Sequence, residues 1–323
     1  MKLTILITTY NRKERLLNML NSIERQKMYD KCEIVISDNS SNYDVDELVK
    51  QHFSIDFYNT IRIHRWSFNT GMSTNMSVSF TLVNTDWCLY LSDDDEMTNN
   101  SLAKILIDIQ DNPNAIAIKY SLTGRDTYPD SKINTLEELE NYYILNNDKI
   151  NEFFYLSRVY NLKLLRNYLS YLTEYSYTYI SFIIPLIFAL RDNVGYILTS
   201  SFQNINYIIC PANENWYFNE RYVKTFLGII TIEDILICDA NYKSKKRLLS
   251  IIFSYIEIPH LIKCIEKNLT KEERLPLFKK IYHAYSYHHV ICKYIPAICF
   301  YKYILIKNKY NSFKLLIKGI IRK

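Results

Sequence analysis

Residues 86–96, Asp86-Trp87-Cys88-Leu89-Tyr90-Leu91-Ser92-Asp93-Asp94-Asp95-Glu96, run from an apolar stretch straight into four adjacent carboxylates. The apolar part predicts a strand over Asp86–Leu91, buried on both faces as strands of parallel sheets are. The acids then mark the carboxyl end of that strand. Three similar segments precede it. Leu3–Thr9 is a continuous apolar strand, and Glu33–Ser37 is a second one ending at Asp38-Asn39-Ser40-Ser41-Asn42. Ile61–Trp66 is a third, and Ala115–Tyr120, downstream, a fifth. Helical patterns separate them. The first carries Leu16, Leu17, Leu20 and Ile23 on one side, with Asn11 as the expected cap and Glu14 three residues later. Others cover Asp44–Phe53, Gly71–Val83 and Thr98–Gln110. Strands alternating with helices at this spacing predict βαβ units and an α/β fold, with a mostly parallel, Rossmann-like central sheet and helices on both faces.

After Ser121 the alternation breaks down. A helix is expected at Leu136–Leu145, a strand at Phe153–Val159, helices at Leu162–Leu172 and Tyr177–Arg191, and a strand at Phe202–Ile209. From Glu220 onward only helices are expected. The working division is 1–121, 122–219 and an all-helical 220–323.

The chain has 323 residues, 48% of them hydrophobic and 23% charged, enough to bury a real core and too apolar for disorder. Its five glycines are scattered (71, 124, 195, 228, 319), so neither a Walker A loop nor a GxGxxG fingerprint can be written. P-loop nucleotidases, kinases and ordinary Rossmann dehydrogenases are thereby excluded. The seven cysteines include no CxxC pair, which argues against a zinc site and suits a reducing cytosol. The N-terminal run reads as a strand rather than a signal peptide.

Net charge is +5, but residues 241–323 hold 18 basic and 4 acidic residues, and the rest of the chain is net acidic. Tyr303, Ile306, Tyr310, Phe313, Ile317 and Ile320 form one helical stripe, with Lys307, Lys314, Lys318 and Arg322 off it. Such a helix suits an anionic membrane surface, or packs on the protein's own body with its lysines in water. Nucleic acid is the less favoured partner, since no recognised binding motif accompanies the lysines. No stretch reaches the ~20 apolar residues of a membrane-spanning helix.

In open parallel sheets ligands bind beyond the carboxyl ends of the strands. Those ends carry Thr8-Thr9-Tyr10-Asn11-Arg12, Asp38-Asn39, Asn69-Thr70-Gly71 with Asn75, and the acidic cluster. Adjacent carboxylates repel one another, and a hard divalent cation, Mg²⁺ or Mn²⁺, would relieve this. In an extended segment Asp93 and Asp95 point one way and Asp94 the other. Asp93 and Asp95 are therefore the candidate metal ligands, and Asp94 a hydroxyl or supporting acceptor.

Taken together, Leu6-Ile7-Thr8-Thr9-Tyr10-Asn11-Arg12, Glu33-Ile34-Val35-Ile36-Ser37-Asp38-Asn39-Ser40, Asn69-Thr70-Gly71 with Asn75, and Leu89-Tyr90-Leu91-Ser92-Asp93-Asp94-Asp95 resemble the nucleotide-sugar-binding half of glycosyltransferase family 2, the GT-A fold, over about residues 3–121. The Ser-Asp-Asp-Asp form is similar to members that build bacterial surface polysaccharides. The resemblance implies an inverting, metal-dependent transfer from a nucleoside diphosphate sugar to a glycan or lipid-linked acceptor, in the cytoplasm or peripherally on the inner face of the plasma membrane. It implies that Thr8, Thr9, Tyr10, Asn11, Arg12, Asp38, Asn39, Asn69, Gly71, Asn75, Asp93 and Asp94 line the donor site, with Asp93 and Asp95 on Mg²⁺ or Mn²⁺. Residues 122–219 then form the acceptor half. Inversion needs a carboxylate base there. The chain departs from the family by lacking a Glu-Asp pair between 122 and 219, so Glu174 is the candidate, with Glu152, Asp126 and Glu214 behind it. A nucleotidyltransferase or a non-catalytic sugar-nucleotide-binding scaffold are the alternatives.

Overall fold

In the computed structural model residues 3–123, 129–146, 158–178 and 181–206 are described. They belong to a compact unit of residues 1–211, and residues 212–323 form a second unit. The basic helical region expected after Glu220 therefore lies outside the described residues, as do Asp126, Glu152 and Glu214.

Among the described residues nine strands form: β1 (Leu3–Thr9), β2 (Cys32–Asp38), β3 (Ile61–Arg65), β4 (Trp87–Ser92), β5 (Glu96–Met97), β6 (Ala115–Thr123), β7 (Ser131–Ile133), β8 (Arg158–Asn161) and β9 (Tyr196–Asn206). They make one sheet in the order β3-β2-β1-β4-β8-β6-β9-β5, with β7 also paired to β9. β1 pairs in parallel with β2 and β4, β2 with β3, and β6 with β9. β8 runs antiparallel between β4 and β6. The sheet is mixed but mostly parallel, as expected, and it is continuous across residue 121.

Register levels the strand ends. Thr9 stands opposite Asp38, Asp38 opposite Arg65, and Thr8 opposite Ser92. The polar clusters that follow these strands therefore share one edge.

The sheet is buried on both faces because its central strands carry apolar residues at successive positions. β1 is buried throughout, from Leu3 to Thr9. One face packs Ile5, Ile7, Leu89 and Leu91 against Leu16, Leu20 and Ile23 of α1 (Lys13–Glu24), Val49 of α2 (Val45–His52), and Leu102, Ile105 and Ile109 of α5 (Ser101–Asp111). Phe57, from the short α3 (Ile55–Tyr58), closes that core against Tyr29 and Phe53. On the other side Tyr90 and Tyr160 meet Phe80 and Phe182 in an aromatic cluster beside α4 (Met72–Val78) and the apolar helix Ile183–Arg191.

Several expectations need correction. Asn11 does not cap α1. It takes the left-handed conformation (φ 55°), and Arg12 occupies the cap position without a side-chain cap bond. Asn11 instead joins two loops: its N–H donates to Ser41 Oγ (3.0 Å), and its Oδ1 accepts from the N–H of Asn42 (2.7 Å). The helix expected over Leu162–Leu172 is broken into Leu162–Leu165, a 3₁₀ turn at Arg166–Tyr168, and Ser170–Glu174. The next helix starts at Ile183 rather than Tyr177. The last strand starts at Tyr196, six residues before the expected Phe202.

Gly195, just before that strand, has no room for a side chain. A Cβ there would lie 2.5 Å from the carbonyl oxygen of Asn114 and 2.9 Å from Ile116 Cγ2. Backbone cannot yield cheaply, so Gly195→Ala is expected to destabilise the fold by about 1–3 kcal/mol. Thermal unfolding of the variant checks this.

Candidate active site

The acidic residues form a turn after β4 rather than continuing it. Asp93 and Asp95 are buried, and Asp94 is partly exposed. Burial thus alternates along the three, and the turn still leaves Asp93 and Asp94 within reach of one guanidinium. Arg12 Nη1 donates to Asp93 Oδ1 (3.1 Å) and to Asp94 Oδ2 (3.0 Å). Arg15, one turn further along α1, lies 3.7 Å from Asp94 Oδ2. Thr9 Oγ1 donates to Asp93 Oδ2 (2.7 Å), and the Ser92 hydroxyl donates to Asp94 Oδ1. So the exit of β1 and the exit of β4 are tied directly together. Part of the repulsion that the sequence leaves to a cation is relieved by Arg12. Arg15 was not foreseen, although its position three residues after Arg12 puts both on one helix face.

Burial pushes the Asp93 carboxyl up to about 6, and neighbouring Asp94 adds to this, while Arg12 and the Thr9 hydroxyl oppose it. The folded protein thus holds this proton more tightly than the unfolded chain, which titrates near 3.8. The resulting stabilisation is full below about 3.8 and is lost as pH rises through about 6. In metal-free protein with a chelator present, Asp93→Asn should gain stability relative to wild type between pH 4 and 7, by on the order of 3 kcal/mol for a shift of about two units. Denaturant unfolding at a series of pH values measures it.

The other predicted residues surround this turn. Asp38 is fully buried at the end of β2. Its Oδ1 accepts from the N–H of Ser41 (2.9 Å), while Oδ2 makes no hydrogen bond among the described residues and lies 3.8 Å from Arg65 Nε. Tyr10 is 41% exposed at the rim.

Asn39 Nδ2 donates to Asn69 Oδ1 (2.8 Å), and Asn39 Oδ1 accepts from the N–H and hydroxyl of Thr70 (both 2.9 Å). Asn69 Oδ1 also accepts from the N–H of Gly71 (2.8 Å). These two asparagines fold the loop into α4, and Gly71, with φ 83°, supplies a backbone turn that other residues rarely adopt. Asn75 Oδ1 accepts from Ser37 Oγ (2.7 Å) and Trp66 Nε1 (3.0 Å) inside the core. Thr8 shares a buried hydrogen bond with the Tyr90 hydroxyl (2.8 Å). Thr8, Asn39, Asn69 and Asn75 therefore build the walls of the site, while Tyr10, Asp38 Oδ2 and the acidic turn are its chemical face. Ser37 and Trp66 are further wall residues, outside the set predicted to line the site.

Glu174 ends the short helix Ser170–Glu174 and is exposed. That helix packs against α4, the helix that follows the loop of Asn69 and Gly71.

Among the described residues no group of three or more His, Cys, Asp or Glu forms a ready-made metal cage. Two buried carboxylates are nevertheless a fitting set for Mg²⁺ or Mn²⁺, which takes one or two carboxylates and fills its shell with water and phosphate oxygens.

Comparison with known proteins agrees with this geometry. The abequosyltransferase RfbV of Salmonella typhimurium is 32% identical over 176 residues, 53% of this chain and 51% of that protein. The teichoic acid poly(glycerol phosphate) polymerase of Staphylococcus epidermidis is 28% identical over 38% of this chain and 17% of its own length. The chain thus spans about half the length of the first relative and less of the second. Among solved structures, S. aureus TarS 1–349 in complex with UDP-GlcNAc matches 90% of this chain and 83% of its own with a TM-score of 0.60 at 13% identity. The mannosyltransferase PcManGT of Pyrobaculum calidifontis, in complex with GDP-Man and Mn²⁺, matches 96% of this chain and 87% of its own with a TM-score of 0.50 at 11% identity. These two show a shared fold. Residues 4–166, half of the sequence and the whole of the site built on β1 to β4, match glycosyl transferase family 2, and the chain belongs to that family.

Proposed function

We propose that the protein transfers a sugar, with inversion, from a nucleoside diphosphate sugar to a glycan or lipid-linked glycan of a bacterial surface polysaccharide. The observation that carries this reading is the buried acidic turn joined to the exit of β1 through Thr9 and Arg12. It stands on the same sheet edge as the buried acceptor atom Asp38 Oδ2. Asp38 Oδ2 suits a base N–H or a ribose hydroxyl, and the exposed ring of Tyr10 suits the face of a base. Asp93 and Asp95 would hold Mg²⁺ or Mn²⁺. When bound, the cation neutralises charge that develops on the departing diphosphate. Arg12 orients Asp93 and Asp94 and opposes the rise that burial imposes on the Asp93 carboxyl. Glu174 is the candidate base toward the acceptor hydroxyl. The complexes of TarS with UDP-GlcNAc and of PcManGT with GDP-Man and Mn²⁺ support the donor class.

A thermal-shift panel of nucleoside diphosphates and their sugars with Mn²⁺ tests the reading. One member at a hundred times its dissociation constant should add about 2.7 kcal/mol of stability. Transfer or hydrolysis of that donor must follow. Binding without turnover on any acceptor would point instead to a sugar-nucleotide-binding scaffold.

We also propose that the basic segment brings the enzyme to an anionic bilayer, an attraction of about 1 kcal/mol per Lys or Arg near the surface. No helix among the described residues is long and apolar enough to cross a membrane. Flotation with anionic liposomes should lose the protein when residues 300–323 are removed, and unchanged flotation would refute the role.

A further inference from the structure

Ser73 lies in the first turn of α4, two residues after Gly71, and is buried. Its hydroxyl is not engaged with its own helix. It is shared between two carbonyl oxygens far along the chain, those of Ser176 (2.5 Å) and Thr178 (2.6 Å), across 103 and 105 residues. One turn later Ser77 Oγ lies 2.8 Å from Ser181 Oγ and also bonds the carbonyl of Ser73 (3.1 Å). Ser77, Thr178 and Ser181 are all fully buried.

Two ties therefore clamp one face of α4 to the segment that follows Ser170–Glu174. That segment begins directly after Glu174 and carries the exposed ring of Tyr177 (47% exposed). The start of the same helix is set by the loop in which Asn69 bonds both Asn39 and Gly71. A small buried hydroxyl is the only polar group that Ser73 offers, and a buried carbonyl deprived of its donor is costly. The bond to Ser176 and Thr178 therefore decides where this backbone sits.

We propose that Ser73 is a positioning residue that docks the 174–178 turn onto the donor-side helix, so that the acceptor-side groups stand at a fixed place relative to the departing diphosphate. This rests on the sugar-transfer reading above. A displacement of about 1 Å in such a segment can cost on the order of a hundredfold in rate without loss of binding.

The experiment compares wild type, Ser73→Ala and Ser73→Thr in the full chain. The donor is the nucleoside diphosphate sugar giving the largest thermal shift with Mn²⁺, and its hydrolysis and transfer are followed at varied concentration. Ser73→Ala should lower kcat at least tenfold while donor KM stays within twofold, and Ser73→Thr, which restores a hydroxyl, should recover most of kcat. Hydrogen exchange should show the amides of 174–178 losing protection in Ser73→Ala, with those of β1 unchanged. An unchanged kcat, a donor KM that rises in step with the loss, or unchanged protection of 174–178 would each overturn the proposal. If Ser73→Ala does not fold, Ser181→Ala, which removes the second tie, should show the same split between kcat and KM, and an unchanged kcat there overturns it too. If wild type responds to no donor, the sugar-transfer reading fails. The exchange comparison then decides whether Ser73 holds the turn, and positioning for transfer is withdrawn with the activity.

Discussion

Asp95→Asn is expected to lower sugar transfer by about a thousandfold while leaving the melting temperature of the ligand-free protein within a few degrees of wild type. Asparagine has the shape of aspartate, so the buried turn keeps its packing, but the charge is gone. Removing one preorganised group that stabilises developing charge costs about 10²–10³ in rate. Asp95 is also one of only two buried carboxylates in the turn, so the donor's diphosphate loses half of the anionic partners that would share its cation. The nucleoside diphosphate should then cease to stabilise the protein in the presence of Mn²⁺. Steady-state transfer assays and thermal shift, run side by side, check both parts. Asp94→Asn should do much less, because Asp94 is held from within by Ser92 and Arg12 and is more exposed.

The second large effect separates the scaffold from the site. Leu89→Ala removes a fully buried side chain from β4, between Ile5 of β1 and Val159 of β8. Large-to-small changes of this kind cost about 2–5 kcal/mol. For a unit of this size the melting temperature should fall by about 10 °C, at a few degrees per kcal/mol. Below that temperature the variant should still bind the nucleoside diphosphate, since Leu89 lies in the core and the carboxylates begin four residues later. Loss of binding in the folded variant would mean that strand packing and the acidic turn are coupled more tightly than the contacts show.

These two outcomes follow from what the sequence carries openly and what it hides. β1, β2 and β4 are legible because buried parallel strands need continuous apolar runs, and Leu3–Thr9 and Trp87–Leu91 have no other use for them. The acidic turn is legible because three aspartates contradict the strand they follow. β5 and β7 are hidden because two and three residues form no pattern, and they exist only by pairing with β9. Asn11 misleads because Asn serves equally as a helix cap and as a left-handed residue, and here contacts with Ser41 and Asn42 decide. Within the site the residue types were readable but their partners were not. Arg12 stands beside the acids across 81 residues of chain, and Ser73 reaches Ser176 across 103. Such contacts are set by topology, which one sequence specifies only through the whole fold.

The proposed function turns on Asp93 and Asp95 meeting a cation that also meets a diphosphate. An anomalous-difference map at the manganese edge, from crystals grown with Mn²⁺ and the nucleoside diphosphate that shifts melting most, tests it directly. One strong peak is expected between these two carboxylates and the diphosphate, absent in Asp95→Asn. A diphosphate lying at the carboxyl edge with no peak beside the turn, or a peak and nucleotide elsewhere on the molecule, would contradict it.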